Sequence, residues 1–216
     1  MNETTDVVNK FIGLSNVKIV VECGAHYGED SLLLASVFPN AYIYSFECNP
    51  KTIDIARENV KNESRIAMIS KALTDKTGTI LFYPINKEKT VTTHEDGNQG
   101  ASSMFKASGL YPIEKYVQDE VTVEAIALKD YPIEYIDFMW LDAQGAELSI
   151  LKGLGEKIKD VKIIMTEVEF KYQYAGQPLF KDIDDFLVQN NFVLYKTLRE
   201  NEWTGDKIYI NKCLIT

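Results

Sequence analysis

The sequence predicts an α/β fold in which a mostly parallel sheet carries helices on both faces. Three observations lead there. First, Lys18 to Val21 is a short, largely β-branched run that stops at Glu22 before a glycine turn and a helix, the start of a βαβ unit. Second, strand and helix patterns alternate through the first eighty or so residues, as in a parallel sheet covered on both sides. Third, later apolar runs end on carboxylates (Leu141 before Asp142, Met165 before Glu167), at the strand ends where open parallel sheets bind ligands.

Taken in order, residues 3 to 14 predict a short helix with Val7, Val8, Phe11 and Ile12 on one stripe and Gly13 ending it. The first strand follows, then a helix carrying Leu32, Leu33, Leu34, Ala35 and Val37, with Asp30 or Ser31 as its cap. Pro39 and Asn40 break the chain before AYIYSF, a second strand closed by Glu47. Residues 51 to 62 form the next helix, with Ile53, Ile55, Ala56 and Val60 turned inward. Ile66 to Ser70 is a third strand, with Lys71, Ala72 and Leu73 at its end, and TILFYPI after Gly78 is a further strand. From 86 to 119 the periodicity fails; a stretch of this length within one domain predicts a variable loop or substrate lid. VTVEAIAL reads as a strand of an edge hairpin, YIDFMWL as a core strand followed by the helix LSILKGLG, and Val161 to Met165 as another core strand. Phe180 to Gln189 is an amphipathic helix, and the tail folds as two strands joined through Asn201 to Gly205 in a hairpin at the sheet edge.

With 216 residues the chain accommodates one domain over 1–216 and not two. An apolar content of 45% and a charged content of 25% belong to an ordinary globular protein. The net charge of -9 argues against a nucleic-acid backbone as partner. No apolar run reaches bilayer length and the first residues do not read as a signal peptide, so a cytoplasmic protein without a membrane partner is expected. Cys23, Cys48 and Cys213 have no metal or disulfide spacing, and Cys23 and Cys48 read as small core residues. No metal site is expected.

The turn after the first strand carries the chemistry. Its E-x-G-x-x-x-G spacing lacks the second glycine that lets a pyrophosphate approach in dinucleotide enzymes. Gly24 permits close approach of the backbone to a ligand, and Gly28 lets the helix start tightly. A carboxylate at Glu22 repels phosphate and attracts an ammonium group. Glu47 stands about 25 residues further on, where an acid at the end of the second strand accepts hydrogen bonds from ribose hydroxyls. Glu22, Glu47 and Asp142 are therefore expected to converge on one nucleoside-type site.

With these residues in place, the chain resembles the FkbM family of S-adenosylmethionine-dependent methyltransferases over roughly residues 17 to 170. VVECGAHYG is similar to the family's acidic glycine loop, SFECNP to its Phe-Glu-Pro-x-Pro block, SKALTDKTG to its Ala-Leu-Ser-Asp block, GASS to its small-residue loop, and DFMWLDAQGAELSILKG to its most specific stretch. Trp140 stands where many members have lysine, Gln144 where many have glutamate, and Cys48 where the first proline follows Glu47, so no role is carried over for that lysine or glutamate. The resemblance implies a class I methyltransferase fold, a seven-stranded Rossmann-like sheet with its last strand antiparallel. It implies S-adenosyl-L-methionine as cofactor and O-methylation of a hydroxyl on a sugar, polysaccharide component or natural product. The expected cofactor-binding residues are Glu22, Gly24, Ala25, His26, Tyr27, Gly28, Glu47, Cys48, Ala72 and Asp142. For the general base the candidates are Asp142, then Glu167, then His94 in the variable loop. A nicotinamide-dependent oxidoreductase and a non-catalytic nucleoside-binding domain are the alternatives.

Overall fold

The computed structural model describes residues 2–215 and contains a seven-stranded main sheet and a three-stranded satellite sheet. In chain order the elements are α1 (Asn2–Phe11), β1 (Ile19–Cys23), α2 (Glu29–Val37), β2 (Tyr42–Phe46), α3 (Ile53–Val60), β3 (Ile66–Ile69), β4 (Ala72–Leu73) and β5 (Gly78–Phe82). After a long excursion come β6 (Val121–Ile126), β7 (Ile136–Leu141), α4 (Glu147–Gly153), β8 (Val161–Glu169), α5 (Phe180–Gln189), β9 (Phe192–Glu200) and β10 (Thr204–Asn211). The main sheet runs β3-β2-β1-β7-β8-β10-β9, with β10 antiparallel to both its neighbours and the other pairs parallel.

Two apolar layers cover it. On one face Val7 and Val8 of α1 and Leu34 and Ala35 of α2 pack on Val20, Ile43, Phe138 and Ile163. On the other, Ile150 and Leu151 of α4 and Ile183 and Leu187 of α5 pack on Val21, Met139, Leu141 and Ile164. Burial on both faces explains why β1 and β7 read as continuous apolar runs without alternation.

Two sequence expectations are corrected by the structure. The segments Ala72–Leu73 and Gly78–Phe82 do not extend the parallel sheet; β4 and β5 flank β6 in the satellite sheet, where β5 and β6 form the stem of the excursion between residues 83 and 120. The C-terminal hairpin does form the sheet edge, with β9 outermost and β10 between β8 and β9. Neither Asp30 nor Ser31 caps α2: Gly28 occupies the N-cap at φ 85°, and Ser31 is buried within the first turn, its hydroxyl committed elsewhere.

The tightest backbone approach lies at the C-terminal ends of β1 and β7. Gly24 has φ 86°, and a Cβ there would lie 1.8 Å from the carbonyl oxygen of Asp142. The glycine is thus demanded by the neighbouring strand end, whereas the sequence suggested close approach of a ligand. Gly24→Ala is expected to lower the unfolding free energy by roughly 2 to 5 kcal/mol, from left-handed strain plus overpacking. Chemical denaturation checks this, and an unchanged midpoint would contradict the packing.

Candidate functional site

The ends of β1, β2 and β7 open into a cavity of about 400 Å³. Its position follows from backbone hydrogen bonds that stitch the loops to adjacent strands. Gly24 and Ala25 N–H donate to the Phe46 carbonyl at 3.0 and 3.2 Å, Asp142 N–H to that of Cys23 at 3.1 Å, and Glu47 N–H to that of Ile69 at 3.0 Å. Of the residues expected from sequence, Gly24, His26, Glu47, Cys48, Ala72, Asp142 and Glu167 line the cavity.

Glu47 is the best-organised carboxylate of the wall. Its Oε2 accepts the His26 N–H at 2.7 Å and its Oε1 the Asn49 N–H at 2.7 Å, so the side chain is fixed from both sides. An ionised carboxylate offers about four lone-pair positions, which leaves acceptor capacity for a ligand. Burial pushes its pKa up to about 7 against the opposing pull of these N–H donors. Leu73, Ile80, Phe82 and Met104 give the same cavity an apolar side.

At the other end sits a polar constellation centred on Gln144, which adopts φ 52°. Its amide nitrogen donates to Asp142 Oδ1 at 2.8 Å and to Glu167 Oε2 at 3.0 Å, while its carbonyl oxygen lies 2.9 Å from the Tyr174 hydroxyl. Arg199 of β9 donates to Glu167 Oε1 at 3.3 Å and pairs with Asp206 at 3.0 Å. Glu167 is buried, and desolvation together with the charges of Asp142 and Glu147 holds its pKa well above the usual carboxylate range. Asp142 opens to the cleft, yet surrounding protein still raises its pKa, with Asp206 and Asp30 adding to the effect and Gln144 opposing it.

Several expected residues lie elsewhere. Glu22 is absent from the wall: its carboxylate is buried between α2 and β2, where Oε2 accepts the hydroxyls of Ser31 at 2.5 Å and Ser45 at 2.6 Å. Burial raises its pKa to about 7, against the opposing hydrogen bonds from Ser31 and Ser45. Ala25 is buried behind the loop, and Gly28 packs at the start of α2 facing Val60. Tyr27 points to the long loop, its hydroxyl donating to Asp96 at 2.9 Å. His94 is exposed on that loop, 4.0 Å from Glu114, and does not reach the cavity. Three free carboxylates at three strand ends thus become two, Glu47 and Asp142.

Other wall residues carried little or no signal. Asn49, Lys71 and Arg199 sit on strand ends or loops of unremarkable pattern, and Tyr116 comes from the irregular excursion. Gly100, Ala101 and Ser102 were flagged by the small-residue block, and Ser102 receives the Asn49 amide at 3.1 Å. Among the described residues no cluster of three or more His, Cys, Asp or Glu is arranged to hold a metal ion.

Residues 22–194 match the methyltransferase FkbM domain. The chain belongs to that family. Membership makes it a methyltransferase that uses S-adenosylmethionine, and it decides against the nicotinamide-dependent alternative. The chain is 26% identical over 182 residues to the 2-O-methyltransferase NoeI of Sinorhizobium fredii, covering 78% of this chain and 70% of that one. It is 27% identical over 177 residues to methyltransferase sdnD of Sordaria araneosa, covering 71% and 66%. Among solved structures, the StiE O-methyltransferase segment superposes with a TM-score of 0.54 at 8% identity, covering 98% of this chain and 74% of that one. Precorrin-6y C5,15-methyltransferase of Geobacter metallireducens superposes with 0.52 at 11%, covering 96% and 87%. These likenesses identify the class I methyltransferase fold.

The buried Glu22 gives a test of its altered role. A carboxyl with pKa 4.5 when unfolded and about 7 when folded keeps a proton that the unfolded chain releases, so its contribution to stability falls as pH rises through that window. Full ionisation costs on the order of 3 kcal/mol. Glu22→Gln is therefore expected to match the parent near pH 5, to melt higher at pH 8, and to bind S-adenosylhomocysteine within about threefold of the parent. Thermal melts across pH with calorimetry check both; a large loss of affinity would return Glu22 to the binding site.

Proposed function

We propose that the chain transfers the methyl group of S-adenosylmethionine to a hydroxyl of a sugar, polysaccharide component or natural product, in a cytoplasmic setting. The observation that carries this reading is the sharing of one cavity by a prearranged acceptor, Glu47, and a carboxylate facing the cleft, Asp142. The O-methyl specificity named for NoeI supports the choice of hydroxyl as acceptor.

The donor groups fit the cofactor. Glu47 has free acceptor positions for vicinal hydroxyls, Leu73, Ile80, Phe82 and Met104 supply an apolar face for a base, and His26 with Gly24 lines the intervening wall. Bound S-adenosylmethionine supplies an electrophilic methyl group on a sulfonium. The protein's remaining work is to align the acceptor oxygen, exclude water and take up its proton. Asp142 is the first candidate for that proton, because it opens to the cleft and is held only at Oδ1, by Gln144, while Glu167 is buried and paired with the Arg199 cation. Glu167 is second. His94, exposed on its loop and outside the cavity wall, is dropped. Gln144 and Arg199 then act as positioning residues that hold the two carboxylates apart and oriented. The wall formed by residues 98–102, Met104 and Tyr116 is read as part of the acceptor-selecting excursion, 86–119.

Two outcomes test this. Glu47→Ala removes charge-assisted hydrogen bonds worth about 1.5 to 3 kcal/mol each, so affinity for S-adenosylmethionine should fall at least about tenfold by calorimetry. Because the free Glu47 carboxyl titrates at about 7, affinity in the parent should rise from pH 6 to 8 as the acceptor ionises, and Glu47→Gln should flatten that rise.

Asp142→Asn preserves shape and removes the basic oxygen. Single-turnover formation of S-adenosylhomocysteine with an accepting hydroxyl should slow by about 100-fold with cofactor affinity little changed. In the parent, the rate should fall on acidification through a pKa above the ordinary carboxylate range. An unchanged rate in the variant passes the role to Glu167, and absence of any turnover in the parent would favour a non-catalytic binding domain.

A further inference from the structure

An aromatic wall leads out of the acidic end of the cavity. Tyr116, a wall residue, stacks on Tyr111 with ring centroids 6.1 Å apart and 23° between planes. Tyr111 in turn meets the indole of Trp203 edge-on, at 5.3 Å and 78°. Tyr111 and Tyr116 come from the excursion after β5, and Trp203 from the turn between β9 and β10, so distant parts of the chain converge on one surface. Tyr111 and Trp203 remain partly exposed and have no part in the cofactor or proton-transfer machinery described above.

The wall is held in place. The Tyr116 hydroxyl donates to Glu114 at 2.5 Å, and the turn bearing Trp203 is closed by its N–H to Asn201 Oδ1 at 2.7 Å and by Phe170 N–H to its carbonyl at 2.7 Å. Rigid aromatic faces offer contact area at little entropic cost. Beside them stand hydrogen-bonding groups of both signs, Glu167, Gln144 and Arg199, which can meet hydroxyl rims. Two cations beside the wall are already paired: Lys171, whose ammonium covers one face of the Trp203 ring at 5.1 Å from its centroid, with Glu202, and Arg199 with Asp206 and Glu167. An anionic ligand therefore finds no free countercharge here, whereas a ring with an apolar C–H face and neutral hydroxyls meets what it needs.

We propose that Tyr111 and Trp203 form an acceptor subsite outside the cavity that stacks on a neutral pyranose ring neighbouring the one methylated, so the acceptor is an oligosaccharide or longer glycan. This rests on the reading of the cavity as a hydroxyl-methylating site.

Binding can be read without knowing the acceptor. The protein, saturated with S-adenosylhomocysteine, is applied to an array of neutral and anionic glycans and their monosaccharides, as parent, Tyr111→Leu and Trp203→Ala. The expected result is retention on neutral oligosaccharides, at least tenfold weaker retention on monosaccharides and anionic glycans, and at least tenfold loss in both variants with S-adenosylhomocysteine affinity unchanged. Trp203 is one of two tryptophans, so in a Trp140→Phe background the same oligosaccharides should shift its emission. Retention that survives both substitutions, a preference for monosaccharides or anionic glycans, or no retention on any glycan overturns the subsite. Failure to bind S-adenosylhomocysteine would instead overturn the functional reading beneath it.

Discussion

The site depends on the parallel register of β1 between β2 and β7. Cys23 lies opposite Phe46 on one side and Leu141 on the other, so the residues that follow, Gly24, Glu47 and Asp142, leave the sheet at one level. The close passage of Gly24 under the Asp142 carbonyl fixes how near the two loops come. Everything functional hangs on that alignment. Loop amides that would otherwise face the ligand are spent holding it: Gly24 and Ala25 bond to Phe46, and His26 bonds to the Glu47 side chain. The carboxylate that lines the cavity is therefore itself part of the loop's architecture.

A second theme is the crowding of buried acids in a protein already carrying a net charge of -9. Glu22, Glu47 and Glu147 each have pKa values raised to about 7, and Glu167 and Glu169 are raised well above the usual range, with desolvation the leading cause in every case. Hydrogen-bond donors partly offset this, such as Ala143 N–H on Glu147 and the serine hydroxyls on Glu22. The arrangement favours positive charge in the cavity and charges the fold an electrostatic cost as pH rises.

Much of the fold was legible because β1, β7 and β8 are buried on both faces and thus written as apolar runs leading to acids. The helix from Phe180 to Gln189 was readable from its apolar stripe. What escaped reading depended on contacts distant in sequence. Nothing in the glycine loop distinguishes a Glu22 aimed at a ligand from one buried against Ser31 and Ser45; that choice is made by which face of β1 the residue occupies. Capping was misassigned because Ser31, a good capping residue by type, spends its hydroxyl on Glu22. Arg199 reaches the cavity only because β10 inserts beside β8 and carries β9 with it, a pairing no local pattern encodes. His94 looked eligible as one of two histidines, but the path of an irregular loop decided its exposure.

The satellite sheet has a consequence of its own. The excursion from 83 to 120 springs from an antiparallel stem in which Gly78 to Phe82 pairs with Ala125 to Val121, so its two ends are clamped side by side before it reaches the cavity. Closing a loop on a preformed stem costs little more as the loop lengthens. The stem thus behaves as a socket: segments of different length and composition can be exchanged above it while the main sheet and the Glu47 end of the cavity keep their register. Such a division confines changes in the length of the excursion to a single contiguous segment whose ends stay fixed.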